Sequence, residues 1–246
     1  MKQEQVVIKM KDGDCKAWFV TPEGQGSWPA VIMYMDAFGL RPAMVEMASH
    51  LSSQGYAVLL PDLFYRFGSY GPLEPKAAFA TGDVRSVIGP MMATTDNHKT
   101  AEDTALFLAY LDSRKEVAGS KIGTVGFCMG GGMALTAAAY YPDRVVAAAS
   151  FHGGNLASDA PTSPHLLVSK IKAEVYVAGA DNDKGYPPEM AKRLEEALTK
   201  AGVPHKLELY EGKLHGWMKP DMPVYDEAAA TRGWSKLFEL YRRNLH

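Results

Sequence analysis

The run Ala-Val-Ile-Met-Tyr-Met at positions 30–35 carries no charge and no turn residue, the pattern of a strand covered on both faces. Residues 57–61 and 145–151 repeat it, and 122–125, 174–179 and 206–210 read as further strands. Between them the period lengthens. Residues 41–54 set Met44, Met47, Ala48 and Leu51 on one helical stripe, with Gly55 as a stop signal. Residues 100–111 do the same with Ala101, Ala105, Leu108 and Leu111, and 188–201 and 226–243 read as helices too. Residues 129–140 are small and apolar throughout, which predicts a packed helix. Ahead of these, 5–10 and 16–20 flank Lys11-Asp12-Gly13-Asp14 and predict an antiparallel hairpin. Strands alternating with helices from Ala30 onward imply an α/β fold, a mainly parallel sheet with helices on both faces and the hairpin at one edge. Two stretches lack a period. Residues 64–82 are aromatic and rich in Gly and Pro, predicting a long surface loop that Tyr65, Phe67 and Tyr70 either pack or open. A polar connection then follows the 145–151 strand to about Lys172. Met33, Met35, Met91, Met92 and Met133 read as core fillers.

Composition narrows the class. The chain has 246 residues, 47% hydrophobic and 22% charged, which suits one large α/β domain, and no repeat or linker divides 1–246. A net charge of −2 gives no reason to expect nucleic acid or an anionic membrane as partner. The start lacks the apolar stretch of a secretory signal, and no apolar run nears the roughly 20 residues that span a bilayer. Two cysteines, Cys15 and Cys128, without such a signal are expected to be free thiols in a reducing compartment. The expectation is a cytoplasmic protein, monomeric or weakly homo-oligomeric.

The chemistry concentrates at Gly126-Phe127-Cys128-Met129-Gly130. This is the G-x-S-x-G nucleophile elbow of α/β-hydrolases with sulfur in place of oxygen, lying between a predicted strand and a predicted helix. A sharp strand-to-helix turn strains the central residue and lifts its side chain into a cleft. A Cβ on Gly126 or Gly130 would strike the facing backbone. The helix N-terminus behind Cys128 favours thiolate over thiol. In that fold an acid and a histidine follow on loops after later strands. The 174–179 strand ends in Ala180-Asp181-Asn182-Asp183, and the 206–210 strand runs into Glu211-Gly212-Lys213-Leu214-His215. His215 can take the thiol proton and return it to a leaving group, and Asp181 or Asp183 can fix its tautomer. The oxyanion would be met by the N–H of Met129 and by one from the loop after the 30–35 strand, most simply Ala37. Cys128 could instead be a buried structural thiol, and one of the two aspartates a cap for the next helix.

The Gly-x-Cys-x-Gly-Gly elbow, the late Asp and His and the absence of a large cap domain resemble the dienelactone hydrolase family, the carboxymethylenebutenolidases. The likeness runs over nearly the whole chain, through 55–63 and Phe151-His152-Gly153-Gly154. It implies hydrolysis of an enol-lactone or related small activated ester through a thiol-acyl intermediate, with no metal or organic cofactor. The family's Asp-x-x-x-Pro spacing falls on Asp183 and Pro187, favouring Asp183 over Asp181. An acidic residue that holds or releases the cysteine's proton falls on Asp36, one methylene shorter than the usual glutamate. A grip for a substrate carboxylate would fall on Lys219 and Arg85, where relatives carry two arginines. His152 would lie beside the pocket as a substrate contact. Alternatives to the lactonase reading are a general small-ester or thioester hydrolase and a silent homologue using the thiol for redox sensing or binding.

Overall fold

The centre of a parallel sheet is dry on both sides, so only uninterrupted apolar segments can lie there. The computed structural model describes residues 1–245. The strands are β1 (Lys2–Met10), β2 (Gly13–Thr21), β3 (Trp28–Tyr34), β4 (Ala57–Pro61), β5 (Val117–Phe127), β6 (Val145–Phe151), β7 (Glu174–Asn182) and β8 (His205–Leu214). They form one sheet in the order β1-β2-β4-β3-β5-β6-β7-β8. From β4 to β8 every neighbouring pair is parallel, and β1 and β2 add an antiparallel hairpin at one edge. The helices α1 (Pro42–Ser52), α2 (Pro75–Ala80), α3 (Val84–Met92), α4 (Asn97–Asp112), α5 (Met129–Tyr140), α6 (Pro188–Lys200) and α7 (Glu227–Asn244) cover both faces.

Burial follows the apolar pattern. Val31, Ile32 and Met33 of β3 are wholly buried, each contributing on the order of 1.5–3 kcal/mol by leaving water. Helix α5, whose residues 130–139 are all buried, packs against β3, β5, β6 and α4. Small side chains let it lie close to the sheet, and Gly131 has no room for a Cβ beside the Ser150 hydroxyl, 2.3 Å away. Helices α1 and α7 meet through His50, whose ring lies 4.7 Å from Trp234 and 5.6 Å from Phe238.

The structure departs from the sequence expectations in a few places. The hairpin is longer and its turn shorter, because Gly13 and Asp14 already pair in β2. The segment 64–82 is not all loop, since α2 lies within it and α3 follows directly. Pro75 stands in the first turn of α2, where its missing N–H costs nothing, and Asp83 caps α3 by accepting the Ser86 N–H. A 3-10 helix, Pro164–Lys170, occupies the end of the polar connection. Met92, expected in the core, is 37% exposed. Among the described residues no helix is long and apolar enough to cross a membrane.

Candidate active site

β5 ends at Phe127 and α5 starts at Met129, so the chain reverses on Cys128 alone. Cys128 adopts φ 55° and ψ −116°. Such a backbone costs a residue other than glycine about 1–3 kcal/mol, and the surroundings hold it there. Its N–H donates to the Phe151 carbonyl at 3.1 Å, and its carbonyl accepts the Gly131 N–H at 3.1 Å. The two elbow glycines are demanded by contact. A Cβ on Gly126 would stand 1.8 Å from the Gly130 carbonyl oxygen, and one on Gly130 would stand 2.3 Å from that of Tyr34. Cys128 is half-buried, whereas Cys15 is fully buried in β2 with its thiol pushed up by burial.

The ends of β7 and β8 bring the acid and the imidazole to this turn. Asp183, 8% exposed, accepts from His215 Nδ1 through Oδ2 at 2.6 Å, and its Oδ1 accepts the Gly185 N–H at 2.8 Å. Asp181 is exposed and accepts the Gly212 N–H at 3.2 Å. Neither aspartate caps α6, whose N-cap is Pro187. His215 brings the charge that most favours the Cys128 thiolate, and Cys128 the charge that most favours the His215 imidazolium. Burial would raise the thiol, but His215, helped by Lys219, outweighs it and lowers the Cys128 pKa. Burial would likewise depress His215, yet the Cys128 charge and the Asp183 bond push it up to about 10. Each group thus favours the charged form of the other.

Met129 is the first residue of α5, where an N–H has no intrahelical acceptor. In the loop after β3 the Phe38 N–H is taken by Asp36 Oδ1 at 2.9 Å, which leaves Ala37 as the neighbouring donor.

Asp36 is wholly buried and saturated. Oδ1 accepts Arg41 Nη1 at 2.7 Å as well as the Phe38 N–H, and Oδ2 accepts Arg41 Nη2 at 2.9 Å and the Lys219 ammonium. Arg41 also reaches Asp221, with Nη2 to Oδ1 at 3.1 Å and Nε to Oδ2 at 2.5 Å. Burial would raise the Asp36 carboxyl, but Lys219 and Arg41 hold it down to about 2. Lys219 is therefore spent on Asp36 inside the protein, its side chain 1% exposed. Arg85 lies on the exposed side of α3, with no hydrogen bond or ion pair among the described residues. The pair expected as a carboxylate grip is not brought together.

His152 follows β6 at φ 40° and is buried against His215, ring centroids 5.3 Å apart, and against Trp217 at 5.9 Å. Neither ring nitrogen has a hydrogen-bond partner. Burial first, then the charges of Lys219 and His215, keep it neutral well below the usual histidine range. Tyr65 and Tyr70 tie the long loop to the sheet and α4, donating to Asp103 at 3.0 Å and Asp62 at 2.7 Å, while Phe67 is exposed. Arg41 and Asp221 are the members of the site that sequence reasoning missed.

A mainly parallel sheet with a strained turn at Cys128 after β5, an acid after β7 and a histidine after β8 matches the α/β-hydrolase fold. The dienelactone hydrolase family model matches residues 15–245, and the chain belongs to that family, a carboxylic ester hydrolase of small ester or lactone substrates. It is 27% identical over 225 residues to the carboxymethylenebutenolidase of Rhodococcus opacus, covering 89% of this chain and 83% of the relative. Two crystal structures share the fold. One is a dienelactone hydrolase-like promiscuous phosphotriesterase from metagenomic libraries, with TM-score 0.79, 23% identity and coverage of 100% and 99% of the two chains. The other is the dienelactone hydrolase of Anabaena variabilis, with TM-score 0.65, 22% identity and the same coverage.

Proposed function

We propose that the protein cleaves small activated esters or lactones through an acyl group carried on Cys128. The observation that carries this reading is His215, held by Asp183 at 2.6 Å, together with the strained turn that sets Cys128 between β5 and α5. In the resting pair the proton already sits on the imidazole. The thiolate attacks the substrate carbonyl, and the oxyanion is met by the N–H groups of Ala37 and Met129. Collapse of that intermediate expels the alkoxide, which takes the His215 proton, and the acyl group stays on sulfur. Neutral His215 then draws a proton from water as it attacks the thioester, the thiolate leaves, and the ion pair is restored. Asp183 orients the ring and stabilises the imidazolium.

Asp36 takes no proton in this scheme. Its oxygens already accept four donors, so it fixes the 36–41 loop and the Lys219 ammonium rather than switching the thiol. His152, wholly buried against His215 and Trp217, backs the imidazole. Steady-state hydrolysis of p-nitrophenyl acetate by Cys128→Ala and Cys128→Ser tests the reading. The alanine variant is expected to lose at least about a thousandfold in kcat/KM, in keeping with loss of an essential nucleophile. Wild-type turnover in the alanine variant would rule the scheme out.

A further inference from the structure

Asp62 follows β4 and uses only one of its two carboxylate oxygens. Oδ1 accepts the Phe64 N–H at 3.0 Å and the Tyr70 hydroxyl at 2.7 Å, and that hydroxyl in turn accepts the Leu40 N–H at 3.2 Å. Oδ2 accepts from no group among the described residues and is not sealed from solvent. The residue as a whole is 9% exposed. Burial pushes its carboxyl up, against the two Oδ1 bonds and the charge of Lys16. A carboxylate oxygen this deep without a donor is costly, and a ligand that supplies one removes that cost.

Asp62 lines a cleft of about 930 Å³ between the β1–β2 hairpin, the start of α1 and the loop after β4. Cys128, Asp183 and His215 do not line it. Some of its charged walls are neutralised, since Asp14 pairs with Lys9 and Arg41 with Asp36 and Asp221. Others are not. Lys16 of β2 and Glu46 of α1 are exposed and have no ion pair among the described residues. The Lys16 carbonyl accepts the Asp62 N–H at 2.8 Å, so the two residues are neighbours, yet the ammonium forms no ion pair with the carboxylate. The rest of the wall is largely apolar, with Trp18, Leu40, Pro42, Val45 and Tyr65. One cleft thus joins a buried carboxylate oxygen, a cation without a counter-ion and an aromatic surface, the mixture that marks small-molecule sites.

We propose that this cleft binds a free amino acid with an apolar side chain, its ammonium on Asp62 Oδ2, its carboxylate on Lys16 and its side chain against Trp18. A zwitterion neutralises both free charges at once, and Glu46 adds a second negative charge that favours the ammonium end. A ligand with one charge leaves a wall charge unpaired. Loss of the ammonium, which meets a buried oxygen, is expected to weaken binding about tenfold. Loss of the carboxylate, which meets an exposed lysine, is expected to weaken it about threefold. The site stands apart from the acyl-cysteine chemistry, so either reading can fail without the other.

The test follows amide and indole NMR signals of the isotope-labelled full chain during titration with L-phenylalanine, phenethylamine and hydrocinnamate. The three share a ring and chain and carry both charges, the ammonium alone or the carboxylate alone. L-Phenylalanine is expected to shift the Trp18 indole signal and the Gly68 and Ser69 amides, all from the cleft wall. It should bind about tenfold tighter than hydrocinnamate and about threefold tighter than phenethylamine. Asp62→Asn is expected to remove the first preference and Lys16→Gln the second. Should Asp62→Asn fail to fold, since Asp62 also anchors Phe64 and Tyr70, the three probes on wild type and on Lys16→Gln decide the matter. No binding of L-phenylalanine, or shifts confined to residues outside the cleft, would overturn the inference. So would a single-charge probe that binds as tightly as L-phenylalanine, or preferences that a folded variant leaves unmoved.

Discussion

Replacing Lys219 by methionine removes a cation whose side chain is 1% exposed from a carboxylate that is fully buried. Methionine keeps most of the lysine stem, so little cavity opens and the electrostatic loss dominates. Breaking a buried ion pair by removing one partner costs about 3–5 kcal/mol. Asp36 keeps both Arg41 bonds and the Phe38 N–H, which sets the expectation at the lower end, about 3 kcal/mol. The pH dependence has a definite sign. Asp36 is depressed to about 2 by Lys219 and Arg41 against burial. Its contribution is therefore present above the unfolded carboxyl value near 3.9 and is lost as pH falls from there through about 2. The deficit of Lys219→Met should be full at neutral pH and shrink below about pH 4. Urea unfolding of both proteins across that range measures it. A neutral-pH difference under about 0.5 kcal/mol, or a deficit as large at about pH 3 as at neutrality, would refute the reasoning.

Iodoacetamide should alkylate Cys128 at a rate that stays high below the ordinary thiol range near 8.5, because His215 lowers its pKa. In His215→Ala the inflection should move above that range, since burial alone raises the thiol; an unmoved profile would deny the pairing. Asp183→Asn should cut kcat by about a hundredfold or more while Asp181→Asn changes it little, and equal losses would dissolve the assignment of Asp183. Gly126→Ala forces a Cβ to 1.8 Å from the Gly130 carbonyl oxygen. It should destabilise by more than about 4 kcal/mol or fail to fold, whereas a wild-type melting curve would show that the turn has slack.

Local patterns were legible wherever local chemistry decides the structure. β4, β6 and α5 begin and end where the apolar runs place them, because strands buried on both faces and a small-residue packed helix leave no alternative register. The elbow was readable because Gly126 answers to a contact four residues away, at the Gly130 carbonyl, although Gly130 itself answers to Tyr34 of β3. The charge cluster was not. Asp36 meets Lys219 across 183 residues and Arg41 meets Asp221 across 180, and nothing around Arg41-Pro42 beyond a helix start marks a buried guanidinium. Lys219 was legible as a cation near the site but not as one already neutralised, because pairing across the fold leaves no trace in spacing. Helices α2 and α3 were hidden by Pro75, Gly82 and Pro90, which interrupt the helical period although the first two sit at helix ends. Asp181 and Asp183 are two residues apart, and only the path of the chain after β7 turns one inward and leaves the other in solvent.

Rapid-quench mass spectrometry with p-nitrophenyl acetate bears most directly on a thiolate at position 128 carrying the acyl group. One acetyl group per chain should appear on the peptide containing Cys128 during the first turnover and disappear as product forms. Turnover that proceeds with no acetyl on that peptide, or with acetyl on another residue forming and decaying at the catalytic rate, would contradict it.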